Sequence, residues 1–252
     1  VASKVQYSFQ RVEKKYMLTR LQYEAIVAGL APHMVADEYG HYTISNLYYD
    51  TEDYQIIRHS LEKPVFKEKL RLRGYGVPGD RDKVYVELKK KCAGVVYKRR
   101  VSLTAAQAMD YLGRGIPPKE SSQIQQEIDW YLRTNQVSPK VFLAYDREAF
   151  AGVEEPDLRV TFDTKIRWRT DNLDLRAGDH GTELLDPDQV LMEIKAPGAV
   201  PLWLANLLSE AEAYPTSFSK YGTYYTQQVA GQIGTKPQPL TTNSEKEARY
   251  CA

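Results

Sequence analysis

Residues 66–75 read FKEKLRLRGY, residues 83–90 KVYVELKK and residues 95–103 VVYKRRVSL. Successive side chains of a β-strand point to opposite faces, so each segment sorts into two sets. In the first, Lys67, Lys69, Arg71, Arg73 and Tyr75 oppose Phe66, Leu70 and Leu72. In the second, Tyr85, Glu87 and Lys89 oppose Val84, Val86 and Leu88. In the third, Lys98 and Arg100 oppose Tyr97, Val101 and Leu103, with Arg99 breaking the pattern. GVPGD at 76–80 and CAG at 92–94 read as hairpin connections.

The same alternation extends outward. Between Tyr7 and Leu18 it groups Arg11, Glu13 and Lys15 against Val12, Tyr16 and Leu18. Segment 158–169 groups Arg159, Thr161, Asp163, Lys165 and Arg167 against Leu158, Val160, Phe162 and Ile166. Segment 190–196 sets Glu193 and Lys195 against Val190, Met192 and Ile194. Residues 41–50 and 141–150 read as two more strands. Helices are expected from Arg20 to Leu30 after an N-cap at Thr19, at 105–112, at 122–134, from Pro201, and near 219–228. The Asp- and Gly-rich stretch 172–187 has no clear pattern. The expected organisation is one domain over 1–230 and a mobile polar tail over 231–252.

Composition narrows the class. Among 252 residues, 42% are apolar and 27% charged, which suits a folded, water-facing protein. Net charge is +1, from 34 basic and 33 acidic residues, so no global excess points to nucleic acid. No window is long and apolar enough for a membrane helix, and no signal peptide opens the chain. Cys92 and Cys251 are too few for a disulfide framework, so a reducing, cytoplasmic setting is the expectation. The histidines at 33, 41, 59 and 180 share no metal-site spacing, and Trp203, Leu204, Leu207 and Leu208 read as helix packing.

A solvated sheet face mixes lysine with glutamate; these faces carry many cations and few acids. Like charges opposed on neighbouring strands repel, so the cluster predicts an anion between them. A closed antiparallel barrel would gather the faces into one lumen, with helices over its apolar outside. Guanidinium and ammonium groups suit phosphoryl oxygens. Glu193, Glu13 or Glu87 could hold a hard divalent cation on the phosphates.

In order, SFQRVEKKYML, TISNLYYDTEDYQIIRHSLEK, KLRLRGYG, VYVELKKK, GVVYKRRVSL, YDREAF, LRVTFD, LMEIK and SKYG resemble the triphosphate tunnel metalloenzyme superfamily. Within it they resemble the VTC-type polyphosphate polymerase domain. The resemblance implies an α+β, mainly β fold: a closed eight-stranded antiparallel tunnel with surrounding helices. It implies Arg71, Arg73, Lys89, Arg159 and Glu193 as the catalytic set. Lys15, Lys69, Lys98, Arg100, Arg147, Lys195 and Lys220 join them as phosphate contacts. It places Mn²⁺ or Mg²⁺ on Glu193, with Glu13 and Glu87 as further candidates. Hydrolytic relatives carry Glu-x-Glu-x-Lys on the first strand; here Arg11 stands at the first acid, which favours the VTC type.

The implied reaction moves the γ-phosphoryl group of ATP onto polyphosphate and releases ADP. The alternatives are a tunnel triphosphatase and a non-catalytic polyphosphate- or nucleotide-binding module. The implied location is the cytoplasm or the cytoplasmic face of a membrane assembly.

Overall fold

The computed structural model describes residues 12–93, 95–118 and 122–231. The expected strand start at 7–11, Arg11 included, the tail from 232 and Cys251 lie outside the described residues.

In chain order the elements are β1 (Val12–Leu18), α1 (Arg20–Leu30), β2 (Met34–Asp50), α2 (Gln55–Leu61), β3 (Phe66–Tyr75), β4 (Lys83–Cys92) and β5 (Val95–Thr104). There follow α3 (Ala105–Arg114), α4 (Gln123–Asn135), β6 (Ser138–Gly152), β7 (Arg159–Arg169) and β8 (Thr182–Glu183). The last are β9 (Val190–Ala196), α5 (Leu202–Glu210), β10 (Pro215–Thr216) and α6 (Lys220–Tyr224).

Local chemistry sets these boundaries. Thr19 and Thr104 open α1 and α3 with capping boxes, each accepting from the backbone N–H of a glutamine three residues on. Helix α2, not expected from the sequence, starts because the buried Asp50 carboxylate accepts from the backbone N–H groups of Ile56 (2.9 Å) and Ile57 (3.0 Å). The Tyr221 hydroxyl donates to the same carboxylate at 2.9 Å. Strand β2 begins at Met34, seven residues before the expected start. The patternless stretch holds only a 3₁₀ turn at Leu175–Ala177 and the short β8. Beyond α6 the chain continues as a π-type turn over Tyr225–Val229. Cys92, closing β4, is buried.

The sheet is antiparallel and mainly β in content, as expected, but it is not the closed eight-stranded barrel. It has ten strands, ordered β10-β1-β9-β7-β6-β2-β3-β4-β5 with β8 on β7, and this path does not return on itself among the described residues. The two extra strands are two-residue pairings: β8 on Arg167 and Trp168, and β10 on Lys15 and Tyr16. Pro215 of β10 has no backbone N–H to give a further neighbour, so β10 covers the β1 edge without extending the sheet.

The described residues form two compact units. One takes 12–42, 146–165 and 185–218; the other takes 43–93, 95–118, 122–145, 166–184 and 219–231. Each has its own core. In the first, Tyr16, Leu18, Val160, Phe162, Met192 and Ile194 pack against Ile26 and Leu30 of α1 and Leu204 and Leu208 of α5. In the second, Leu70, Leu72, Val84, Val86 and Leu88 pack against Ala108 and Tyr111 of α3 and Ile128 and Tyr131 of α4. These are the apolar halves of the alternating strands, so the charged halves take the other face.

Phe162 is 1% exposed and meets the Tyr23 ring edge-on at 5.0 Å and the Phe150 ring at 5.9 Å. Phe162→Ala is expected to cost about 3–5 kcal/mol, because the ring leaves a cavity that stiff strands cannot close. Urea unfolding followed by far-UV circular dichroism measures it.

Candidate functional site

The charged halves of the strands form two clusters, one in each unit. The larger lies on β3, β4 and β5. Register there places side chains in rows across three strands. Lys69, Lys89 and Lys98 make one row, and Arg71, Glu87 and Arg100 the next. Strand β2 extends the second row with Tyr48 and sets Asn46 beside Arg73. Three lysines directly opposed on adjacent strands repel one another.

Glu87 relieves part of that repulsion. Its side chain is 1% exposed. Oε2 accepts from Arg71 Nε at 2.8 Å and Nη2 at 2.6 Å, with Arg73 Nε at 3.8 Å. Oε1 takes Lys98 Nζ at 2.8 Å and Arg100 Nε at 2.7 Å, with Arg100 Nη2 also donating. Burial alone would push the Glu87 carboxyl up; the charges of Arg71, Arg73 and Lys98 outweigh it and hold the group well below the usual carboxylate range. The stability from these pairs is therefore complete at neutral pH. It is lost progressively as pH falls from the ordinary glutamate range down through that depressed value.

Neutral side chains fix the remaining guanidinium edges. Arg71 Nη1 donates to the Tyr48 hydroxyl at 3.3 Å, and Arg73 donates to Asn46 Oδ1 at 3.0 Å and the Tyr145 hydroxyl at 3.3 Å. Asn46 is held in turn by its amide, which donates to the Leu143 carbonyl. The Arg100 guanidinium lies 4.2 Å from the Tyr85 ring centre. Lys220 stands over Tyr145 at 4.2 Å, and Lys69 donates to Ser219 Oγ at 3.4 Å.

The second cluster lies on β1, β9 and β7, with Arg147 reaching in from β6. Its rows are Lys15–Glu193–Thr161 and Glu13–Lys195–Arg159. Lys15 bridges the two acids, 3.4 Å from Glu193 and 3.7 Å from Glu13, and also donates to the Phe218 carbonyl. Lys195 lies 3.3 Å from Glu193. Arg147 grips Asp163 with two parallel bonds of 2.6 and 2.8 Å, and Asp163 is fully buried. Arg159 is exposed.

The two clusters suit a metal differently. Glu87 does not fit, because five N–H donors of Arg71, Lys98 and Arg100 crowd its two oxygens at bonding distance, whereas Glu193 meets single lysines at 3.4 and 3.3 Å. Glu193 and Glu13 supply hard oxygen donors of the kind magnesium and manganese take. Thr161, opposite Glu193, has a buried hydroxyl with no hydrogen-bond partner among the described residues, a further oxygen in the Glu193 row. Among the described residues no group of three or more His, Cys, Asp or Glu side chains forms a self-sufficient metal cage. A phosphate-bearing ligand would have to complete the coordination.

The phosphate and metal candidates named from the sequence thus fall in or beside one cluster or the other. Asn46, Tyr48, Tyr145, Asp163 and Thr161 were not assigned site roles. Asn46 and Tyr48 alternate on one face of TISNLYYD, and Asp163 shares a face with Arg159; that parity was the available signal. The histidines stay outside. His33 stacks on Trp203 at 4.1 Å, as packing. Lys90 turns to the other face and pairs with Glu68 and Glu127.

No curated protein matches the sequence. Among solved structures, one similar chain is a Bacillus halodurans protein provisionally named an adenylate cyclase. It is 14% identical, with a TM-score of 0.51, over 83% of this chain and 93% of that one. A Hippeastrum protein, provisionally named an adenylyl cyclase and described as having a dominant triphosphatase activity, is 16% identical. Its TM-score is 0.51, over 86% of this chain and 96% of that one. At such identities the likeness is one of fold. The sequence itself matches the VTC domain over residues 10–228, spanning both clusters, and the chain belongs to the VTC domain family.

Proposed function

We propose that this chain is a polyphosphate polymerase that moves the γ-phosphoryl group of ATP to the end of a polyphosphate chain. The observation that carries the reading is the row Lys69–Lys89–Lys98 beside the row Arg71–Glu87–Arg100. So much positive charge at strand spacing, on a chain of net charge +1, suits a ligand that repeats its negative charge. Membership of the VTC domain family supports the same reading.

The reaction asks little covalent work of a protein. A terminal phosphate of polyphosphate is already ionised at neutral pH and attacks the γ-phosphorus; the bond to the β–γ bridging oxygen breaks, and ADP leaves with it. Positioning and charge neutralisation supply the catalysis. Arg71, Arg73 and Lys89 are assigned to the transferring phosphoryl group, with Lys69, Lys98, Arg100 and Lys220 holding phosphates beside them. On the second cluster, Arg159 joins the catalytic set while Lys15, Arg147 and Lys195 hold phosphate. Glu193, with Glu13, would hold Mn²⁺ or Mg²⁺, which supplies charge neutralisation at phosphate oxygens when bound.

A second reading, hydrolysis of tripolyphosphate or a nucleoside triphosphate, draws on the triphosphatase activity described for the Hippeastrum protein of similar fold. Products decide. Purified protein with ATP and Mn²⁺ is expected to yield ADP in step with long polyphosphate on gels and in phosphorus NMR. Free phosphate without chain growth would favour hydrolysis; tight binding without turnover would favour a binding module.

Two variants separate the clusters. Glu193→Gln keeps volume and removes charge. It is expected to weaken Mn²⁺ binding measured by calorimetry and to collapse ADP release, with tripolyphosphate still bound. Lys89→Met deletes a contact made in ground and transition states alike, so triphosphate affinity should fall roughly ten- to a hundredfold. Wild-type affinity should also weaken as salt rises. Full turnover in Glu193→Gln would refute the metal assignment.

A further inference from the structure

We propose that Glu87 is a positioning residue: a buried counter-anion that holds Arg71, Arg73, Lys98 and Arg100 converged and touches neither phosphate nor metal. This rests on the triphosphate reading above. Burial places Glu87 behind its partners. Its side chain is 1% exposed, whereas those of Arg71, Lys98 and Arg100 are 22%, 44% and 32% exposed. The cations therefore present one edge to Glu87 and another outward.

The carboxylate is also full. A carboxylate offers about four acceptor sites, and Glu87 meets two guanidinium groups and an ammonium at bonding distance, with Arg73 close by. An incoming cation would find no vacant oxygen and four positive charges around it. Four cations against one carboxylate leave a net +3, so Glu87 does not quench the cluster. It spends the repulsion among its neighbours while leaving their pull on an anion.

Its position explains why one residue can do this. Glu87 lies in the middle strand of three, paired with Arg71 on β3 and Arg100 on β5. Arg73 and Lys98 reach it from adjacent rows. Donors fixed before substrate arrives need no reorganisation during transfer, and a displacement of about 1 Å in such groups can cost about a hundredfold in rate.

The test compares Glu87→Gln and Glu87→Asp with wild type, measuring tripolyphosphate affinity by calorimetry, kcat and KM for ATP, and Mn²⁺ affinity without nucleotide. In Glu87→Gln the net charge of the cluster rises while its geometry loosens. Tripolyphosphate affinity should stay within about threefold, with a steeper salt dependence, while kcat falls roughly ten- to a hundredfold. Glu87→Asp, which keeps the charge on a shorter arm, should recover part of the lost kcat. Mn²⁺ affinity should not change in either. A kcat within twofold of wild type in Glu87→Gln, a parallel loss of affinity and kcat, or weakened Mn²⁺ binding would each overturn the proposal. If Glu87→Gln does not fold, Glu87→Asp decides: lowered kcat with retained affinity supports the role, and parallel loss overturns it. A wild-type protein that binds no tripolyphosphate would instead bring down the functional reading beneath.

Discussion

Like charges held at strand spacing must be compensated, and that requirement governs both clusters. On β3, β4 and β5 the compensation is a single carboxylate reached by three guanidinium groups and an ammonium. On β1, β9 and β7 it is distributed, with Lys15 and Lys195 sharing Glu193 and Asp163 taking Arg147. The first arrangement leaves a large cationic surplus; the second is near balance, with its lysines 3.3 and 3.4 Å from the Glu193 oxygens. One chemistry suits the phosphates, the other suits a metal together with phosphates.

The cores are what make such faces tolerable. Breaking a buried ion pair by removing one partner typically costs about 3–5 kcal/mol, and keeping several charges in place takes a rigid backbone. Here rigidity comes from helices on the apolar side of the strands. Helices α3 and α4 cover one group of strands, and α1 and α5 the other. Each apolar residue at an even position of β3 or β4 therefore fixes the direction of the charged residue beside it. Leu70 and Leu72 aim Arg71; Val86 and Leu88 aim Glu87.

Much of this was legible because a period of two survives in single sequences. Lys69, Arg71, Arg73, Glu87 and Lys89 fall on the face that alternation assigns, and the caps at Thr19 and Thr104 open the helices where expected. What was not legible depended on contacts between distant residues. Asp50 initiates α2 from the end of a strand, and Tyr145 meets Arg73 across 72 positions of sequence. Alternation alone makes Glu87 a metal candidate like Glu13 and Glu193; its four cationic partners, on the two neighbouring strands, appear only in the fold. Barrel closure was inferred from the gathering of charge, but alternation specifies faces and not which strand pairs with which. Two-residue pairings such as β8 and β10 carry no periodic signal at all.

The row register has a corollary for changes in chain length. The loop at 76–82 that joins β3 to β4 can lengthen or shorten while the rows stay aligned, because its residues lie outside them. A single residue lost within β4 cannot be absorbed in that way. Beyond the gap, Val, Leu and Lys positions would exchange faces, sending ammonium groups into the packing beneath α3 and α4 and turning aliphatic side chains outward. A change of length at the tip thus leaves the charged face intact, and the same change in an arm inverts it.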